Sequence, residues 1–136
     1  EFQHFVYENP DATPAERNAE WRKIEEEYLP GRDYDGVDYL EMGGFWQRQS
    51  HIYNSPFYYI DYTLAQICAF QFWVKMNDNH EEAWSDYVDL CKLGGSLSFT
   101  DLAASAKLES PFKEGVVEKV IAPIEQWLND IDDKNL

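Results

Sequence analysis

Basic residues are scarce in this 136-residue chain. Eleven Lys and Arg stand against 26 Asp and Glu, giving a net charge of −15. Phosphate backbones are held through Lys and Arg, so this balance argues against a DNA or RNA partner. It equally disfavours adhesion to an anionic membrane. Cysteine is nearly absent: Cys68 and Cys91 are the only two. Both fall in apolar helical patterns and read as buried free thiols of a reducing compartment, not as a disulfide framework. The expected location is the cytoplasm. No apolar run reaches membrane-spanning length, and no signal-peptide pattern stands in the residues present. Several chemistries also lack their residues. The three histidines are His4, His51 and His80, and none belongs to an H-E-x-x-H. There is no Cys-x-x-Cys, no nucleophile elbow and no phosphate-binding glycine loop. Asp33, Asp35 and Asp38 lack the glycine and terminal glutamate of a calcium loop in register. No metal ligand set is therefore expected within the chain.

Strand-like alternation is missing as well, and the predicted class is all-α. Thr13-Pro14-Ala15-Glu16 has the form of a capping box and predicts a helix from Pro14 to about Tyr28, stopped before Pro30-Gly31. Its Trp21, Ile24 and Tyr28 would share a face. Ser55-Pro56 predicts the start of the longest helix, over about 55–76. The apolar character of that helix, nearly all round after its first turns, predicts burial in a large core or against another domain. In isolation it would leave apolar surface exposed. Asn79 to about Lys92 predicts a further helix ended by Gly94-Gly95, and Ser98 caps a short one to about Leu108. Ser110-Pro111 predicts the last, to about Ile131, with Pro123 inside it. The opening Phe2, Phe5 and Val6 already share a helical face with no cap before them. This reads as a piece cut from a longer polypeptide. The stretch 31–54 carries Gly31, Gly36, Gly43 and Gly44 and predicts a loop with one helical turn at most. Loops of that length are usually functional. The glycines would serve either turns alone or a close backbone approach to a ligand.

Aromatic residues, by contrast, are abundant at 16%, and four of the nine tyrosines fall within ten residues: Tyr53, Tyr58, Tyr59 and Tyr62. They follow His51 and surround the predicted helix start. A phenol has a pKa of about 10, so near pH 7 it is a neutral hydrogen-bond donor. Several phenols with a histidine on one surface can donate to a developing oxyanion. On a helix beginning at Pro56, Tyr62 shares a face with both Tyr58 and Tyr59. His51 and Tyr53, ahead of the cap, would fold back over that face. A half-buried packing cluster is the competing explanation.

The run Gly43-Gly44-Phe45-Trp46-Gln47-Arg48-Gln49-Ser50-His51-Ile52-Tyr53, continued by Pro56-Phe57-Tyr58-Tyr59-Ile60-Asp61-Tyr62-Thr63-Leu64-Ala65-Gln66, resembles the C-terminal part of oligoendopeptidase F. These are zinc metallopeptidases of the M3 family, in the thimet oligopeptidase clan. The opening Phe2-Gln3-His4-Phe5-Val6-Tyr7-Glu8-Asn9-Pro10 resembles the family helix that follows the zinc-binding region. The resemblance extends over nearly the whole of 1–136. It implies one helical portion of a larger, mainly helical zincin-like peptidase that hydrolyses short peptides. It also implies that zinc and its ligands lie on the N-terminal remainder of the polypeptide, which would be this chain's partner, and that the chain alone is inactive. His51 matches the family histidine, and the family tyrosine pair falls on Tyr59 and Tyr62 as catalytic groups. The spacing from His51 is one residue short, so Tyr58 or Tyr53 can take the place of Tyr59. Tyr53, Tyr58, Gly43 and Gly44 are the expected substrate-binding positions. The alternative function is a helical interaction or structural domain with an aromatic groove.

Overall fold

Thr13 sets the first long helix as its spacing predicts. Its hydroxyl accepts the Glu16 backbone N–H at 3.3 Å, and the Glu16 carboxylate accepts the Thr13 N–H at 2.8 Å. Pro14 occupies the first turn, where a missing N–H costs nothing. The computed structural model describes residues 1–132; residues 133–136 of the expected single domain lie outside them. Among the described residues there are eight α-helices, one 3-10 turn and no strand, so the chain is all-α. No described helix is long and apolar enough to cross a membrane.

The chain divides into two units, Glu1–Ile60 and Asp61–Leu136. In the first, α1 (Phe2–Glu8) and α2 (Pro14–Tyr28) enclose a small aromatic core. Phe2 is buried between Trp21, at 5.2 Å between ring centroids, and Trp46, at 5.1 Å. Trp21 and Ile24 of the predicted α2 face are half-buried, but Tyr28 is exposed, its hydroxyl donating to Glu1 at 2.8 Å. The buried residue of α2 is Glu25, and a buried carboxylate needs partners. It has them in Arg22 at 2.9 Å and in the hydroxyl of buried Tyr34. Burial and this carboxylate push the Tyr34 phenol up.

The stretch 31–54 departs from the predicted loop. It folds into α3 (Asp38–Glu41), a 3-10 turn over Gly44–Arg48 and α4 (Ser50–Asn54). These elements are too short for a hydrophobic period to reveal them.

In the second unit, α5 (Ile60–Asp78) packs with α6 (His80–Leu93), α7 (Phe99–Ser105) and α8 (Val116–Asn129). Phe72, Ala103, Ala106 and Leu108 form its core, with Cys68 and Leu90 against it. Gln71, buried on α5, ties down the chain after α7 with two bonds. Its Nε2 donates to the Glu109 carbonyl at 2.9 Å, and its Oε1 accepts the Glu109 N–H at 2.8 Å. α7 stops at Ser105, short of the predicted Leu108. Lys107 turns left-handed, and the N–H groups of Lys107 and Leu108 return to the carbonyls of Ala104 and Ala103, a Schellman closure. Both Ser-Pro helix starts are delayed. α8 begins at Val116 because Gly115 is left-handed, and α5 begins at Ile60 because Phe57 is. Only Gln71 and Phe72 of α5 are buried, so the long helix leaves most of its apolar residues at least partly exposed, as expected where a further core or domain is to cover it. Cys91 is likewise exposed, contrary to its expected burial; an open cleft of about 450 Å³ between α5, α6 and α7 reaches it.

Ion pairs fix the second unit's turns. Asp86 of α6 accepts Lys75 at 2.8 Å and Lys107 at 3.0 Å, which lowers its pKa. Glu109, bonded by Lys113 and Lys119, falls to about 2. Carboxyl groups depressed on folding stabilise the chain above their unfolded pKa, and that contribution disappears as pH falls through the folded value. Thermal midpoints are therefore expected to be level above about pH 5 and to fall between about pH 4 and pH 2. Glu109→Gln should flatten part of that fall. Melts followed by circular dichroism check this; an unchanged acid slope in Glu109→Gln would remove Glu109 from the explanation.

Candidate functional site

Residues 43–59 of the first unit carry six of the seven positions that the sequence singles out. Gly43 is left-handed at φ 86°, and a Cβ there would meet the Asn18 carbonyl oxygen at 2.0 Å. At Gly44 a Cβ would meet the Tyr39 ring and carbonyl at 2.6 Å. The close approach expected of these glycines is thus made to the protein itself, to α2 and to Tyr39. The Tyr39 hydroxyl lies 2.8 Å from the Gly44 carbonyl and 2.9 Å from Gln47 Oε1.

The 3-10 turn that follows seats Trp46 in the core. Its Nε1 donates to Asn18 Oδ1 at 2.9 Å, satisfying the one polar atom of a buried indole. Tyr53 of α4 stacks on Trp46 at 5.8 Å and 25°. An aromatic column thus runs from Trp21 through Phe2 and Trp46 out to Tyr53. Burial, then Tyr39, pushes the Tyr53 phenol up, so it stays protonated at neutral pH.

His51 stands half-buried ahead of α5, as predicted, but within a short helix of its own, α4. Tyr59 approaches it at 4.8 Å between ring centroids and Tyr58 at 6.3 Å, nearly parallel at 12°. Neither tyrosine is on α5. Both lie in the turn before it, so the helical i, i+3 and i, i+4 argument that paired them with Tyr62 does not hold. What unites Tyr58 and Tyr59 is His51. Tyr62 belongs to the first turn of α5, in the second unit, and is about half exposed, as are Tyr58 and Tyr59.

The turn takes the place of the helix start that Ser55-Pro56 predicted. The Tyr58 N–H donates to the Ser55 carbonyl at 3.1 Å, with Pro56 second in the turn and Phe57 third at φ 62°. That is the pattern of a type II turn, whose third place normally belongs to Gly or Asn. Gln3 Oε1 of α1 accepts the Phe57 N–H, and the Phe57 ring packs on His4 at 5.1 Å and Tyr7 at 5.3 Å.

Among the described residues no three His, Cys, Asp or Glu side chains gather as a metal ion requires.

No family model and no curated protein matches the chain. Solved structures do. A PZ peptidase A, solved with an inhibitor, is 65% identical over 97% of this chain at a TM-score of 0.92. A protein assigned as an oligoendopeptidase F is 64% identical over 99%, at 0.93. A second such protein, from Bacillus anthracis str. Ames, is 53% identical over 100%, at 0.76. The chain spans 24%, 24% and 21% of their lengths. At these identities, with the helical class and the His/Tyr segment in place, the chain belongs to the oligoendopeptidase F family, as a segment about a quarter as long as such a peptidase.

Proposed function

We propose that this chain is the C-terminal, substrate-facing portion of a zinc metallopeptidase of the thimet oligopeptidase clan. In this reading the metal ligands belong to the N-terminal remainder of the polypeptide, the substrates are short peptides, and the location is cytoplasmic. The metal, when bound there, supplies a Lewis acid and an activated water. The 136 residues alone cleave nothing.

The observation that carries the reading is the cluster of His51 with Tyr58 and Tyr59, an imidazole with two half-exposed phenols 4.8 and 6.3 Å away, ring to ring. His51 binds the peptide beside the scissile bond. The Tyr62 hydroxyl donates a hydrogen bond to the carbonyl oxygen as it gains charge, and one of Tyr58 and Tyr59 donates with it. Neutral donors held in place before the reaction stabilise the oxyanion more than the uncharged carbonyl. Tyr53 flanks the peptide from its Trp46 stack. Gly43 and Gly44 act on substrate only through the turn they seat.

Tyr58→Phe and Tyr59→Phe in the full-length peptidase test this. Each removes one hydroxyl and keeps the ring beside His51. The second donor should lose at least about tenfold in kcat with KM held, while the other tyrosine stays within about threefold. Steady-state kinetics on a short fluorogenic peptide read the difference. Two variants both at the wild-type rate would overturn the donor role of this turn.

A further inference from the structure

Phe57 occupies a backbone conformation that its residue type disfavours. A bulky side chain at φ 62° is uncommon and persists only where its surroundings over-determine it. Ser55-Pro56 would otherwise begin a helix. A helix through these residues would carry Tyr58 and Tyr59 round its axis with the first turn of α5. The left-handed residue breaks that path and turns both rings onto His51.

The restraint on Phe57 comes from α1, 54 residues earlier in the chain. Gln3 Oε1 accepts the Phe57 N–H, a main-chain donor at the turn's reversal. His4 and Tyr7, neighbours of Gln3 on the same helix, hold the ring at 5.1 and 5.3 Å. The acceptor fixes the peptide plane, and the two rings fix the side chain. An unrestrained Phe57 would relax toward negative φ, and Tyr58 and Tyr59 would leave His51.

We propose that Gln3 is a positioning residue of the peptide-binding site: its side-chain carbonyl holds Phe57 left-handed and thereby places Tyr58 and Tyr59 against His51. The proposal rests on the reading of that His/Tyr cluster as the site. Gln3 touches no substrate. Its effect is on the placement of the donors, and a misplacement on the order of 1 Å costs about 100-fold in rate.

Two pairs of variants in the full-length peptidase test it. Gln3→Met keeps the length of the side chain and removes the acceptor; Gln3→Glu keeps an acceptor oxygen. Gln3→Met should lose about 10- to 100-fold in kcat with KM within threefold, and Gln3→Glu should stay within threefold of wild type. At Phe57 the order of effects is diagnostic. Gly adopts positive φ freely, whereas β-branched Val resists it. Phe57→Gly should therefore retain more kcat than Phe57→Val, although Val preserves more of the packing against His4 and Tyr7. A packing role alone gives the reverse order. A readout independent of turnover is the ring-current shift of the His51 imidazole protons in the NMR spectrum, expected to collapse in Gln3→Met and Phe57→Val and to persist in Phe57→Gly. Wild-type kcat and His51 shifts in Gln3→Met, or Val outperforming Gly, would overturn the proposal. If the shifts change as expected while kcat does not, the device exists and it is the catalytic reading of the cluster that fails. If Tyr62→Phe and one of Tyr58→Phe and Tyr59→Phe lower kcat while Gln3→Met leaves the shifts untouched, the site reading stands and the role of Gln3 falls.

Discussion

Tyr62→Phe in the full-length peptidase should lower kcat by about 100- to 1,000-fold and leave KM within about threefold. The substitution removes a single hydroxyl from a residue in the first turn of α5 that is 54% exposed. The ring and its packing are kept, so at an unchanged melting temperature any kinetic effect belongs to the hydroxyl. A phenol that donates to a peptide carbonyl gains most when the oxygen becomes an oxyanion, because the developing charge strengthens the bond. Losing it therefore raises the barrier by about 3–4 kcal/mol and leaves the Michaelis complex nearly as stable as before. Rates on a short fluorogenic peptide, with a melt of the same sample, provide the check. A rise in KM with kcat intact would instead assign Tyr62 to ground-state binding, and the oxyanion role would be withdrawn.

The comparison of Tyr62 with Tyr58 and Tyr59 explains what could be read from the chain and what could not. The class and most of the long helices were legible because they depend on neighbours in sequence: Thr13 with Glu16, Asn79 with Glu82, and Gly94 after Leu93. The same local reading misplaced two starts. Ser-Pro is a sound helix opening, but Phe57 and Gly115 turn left-handed just after it, so α5 and α8 begin four or five residues beyond the prolines. Gly115 carries a signal in its residue type. Phe57 carries none, since what holds it there is Gln3, and no pattern within a window of residues reports a contact over that distance. Within the His/Tyr segment three of the rings do meet, but by another route than the one the spacing predicts. Helical spacing was meant to assemble it, whereas the observed assembly of Tyr58 and Tyr59 is against His51. On α5 the apolar character signals a need for cover, and within this chain little of that cover is supplied, as expected of the helix in isolation.

Gly43→Ala is expected to damage the fold more than any other single-methyl addition to the first unit. Two costs combine. At φ 86° an L-residue is strained by about 1–2 kcal/mol. The added carbon would also lie 2.0 Å from the Asn18 carbonyl oxygen and 2.8 Å from its carbon. Those atoms belong to the backbone of α2, so no rotamer change relieves the contact. The 3-10 turn must move off the helix, drawing Trp46 from its bond to Asn18 and loosening the stack that carries Tyr53. Overpacking of this kind costs about 1–3 kcal/mol, so the sum is about 2–5 kcal/mol, a fall in melting temperature on the order of 10 °C or more. Gly31→Ala separates the two costs. Gly31 is left-handed at φ 84°, but a Cβ there meets nothing within 4 Å, so the variant carries the conformational strain alone. Gly43→Ala should therefore melt well below Gly31→Ala in the same buffer. Equal midpoints would mean that the turn can shift away from α2 at no cost. An intact midpoint in Gly43→Ala, with KM raised in the full-length peptidase, would return Gly43 to direct contact with substrate.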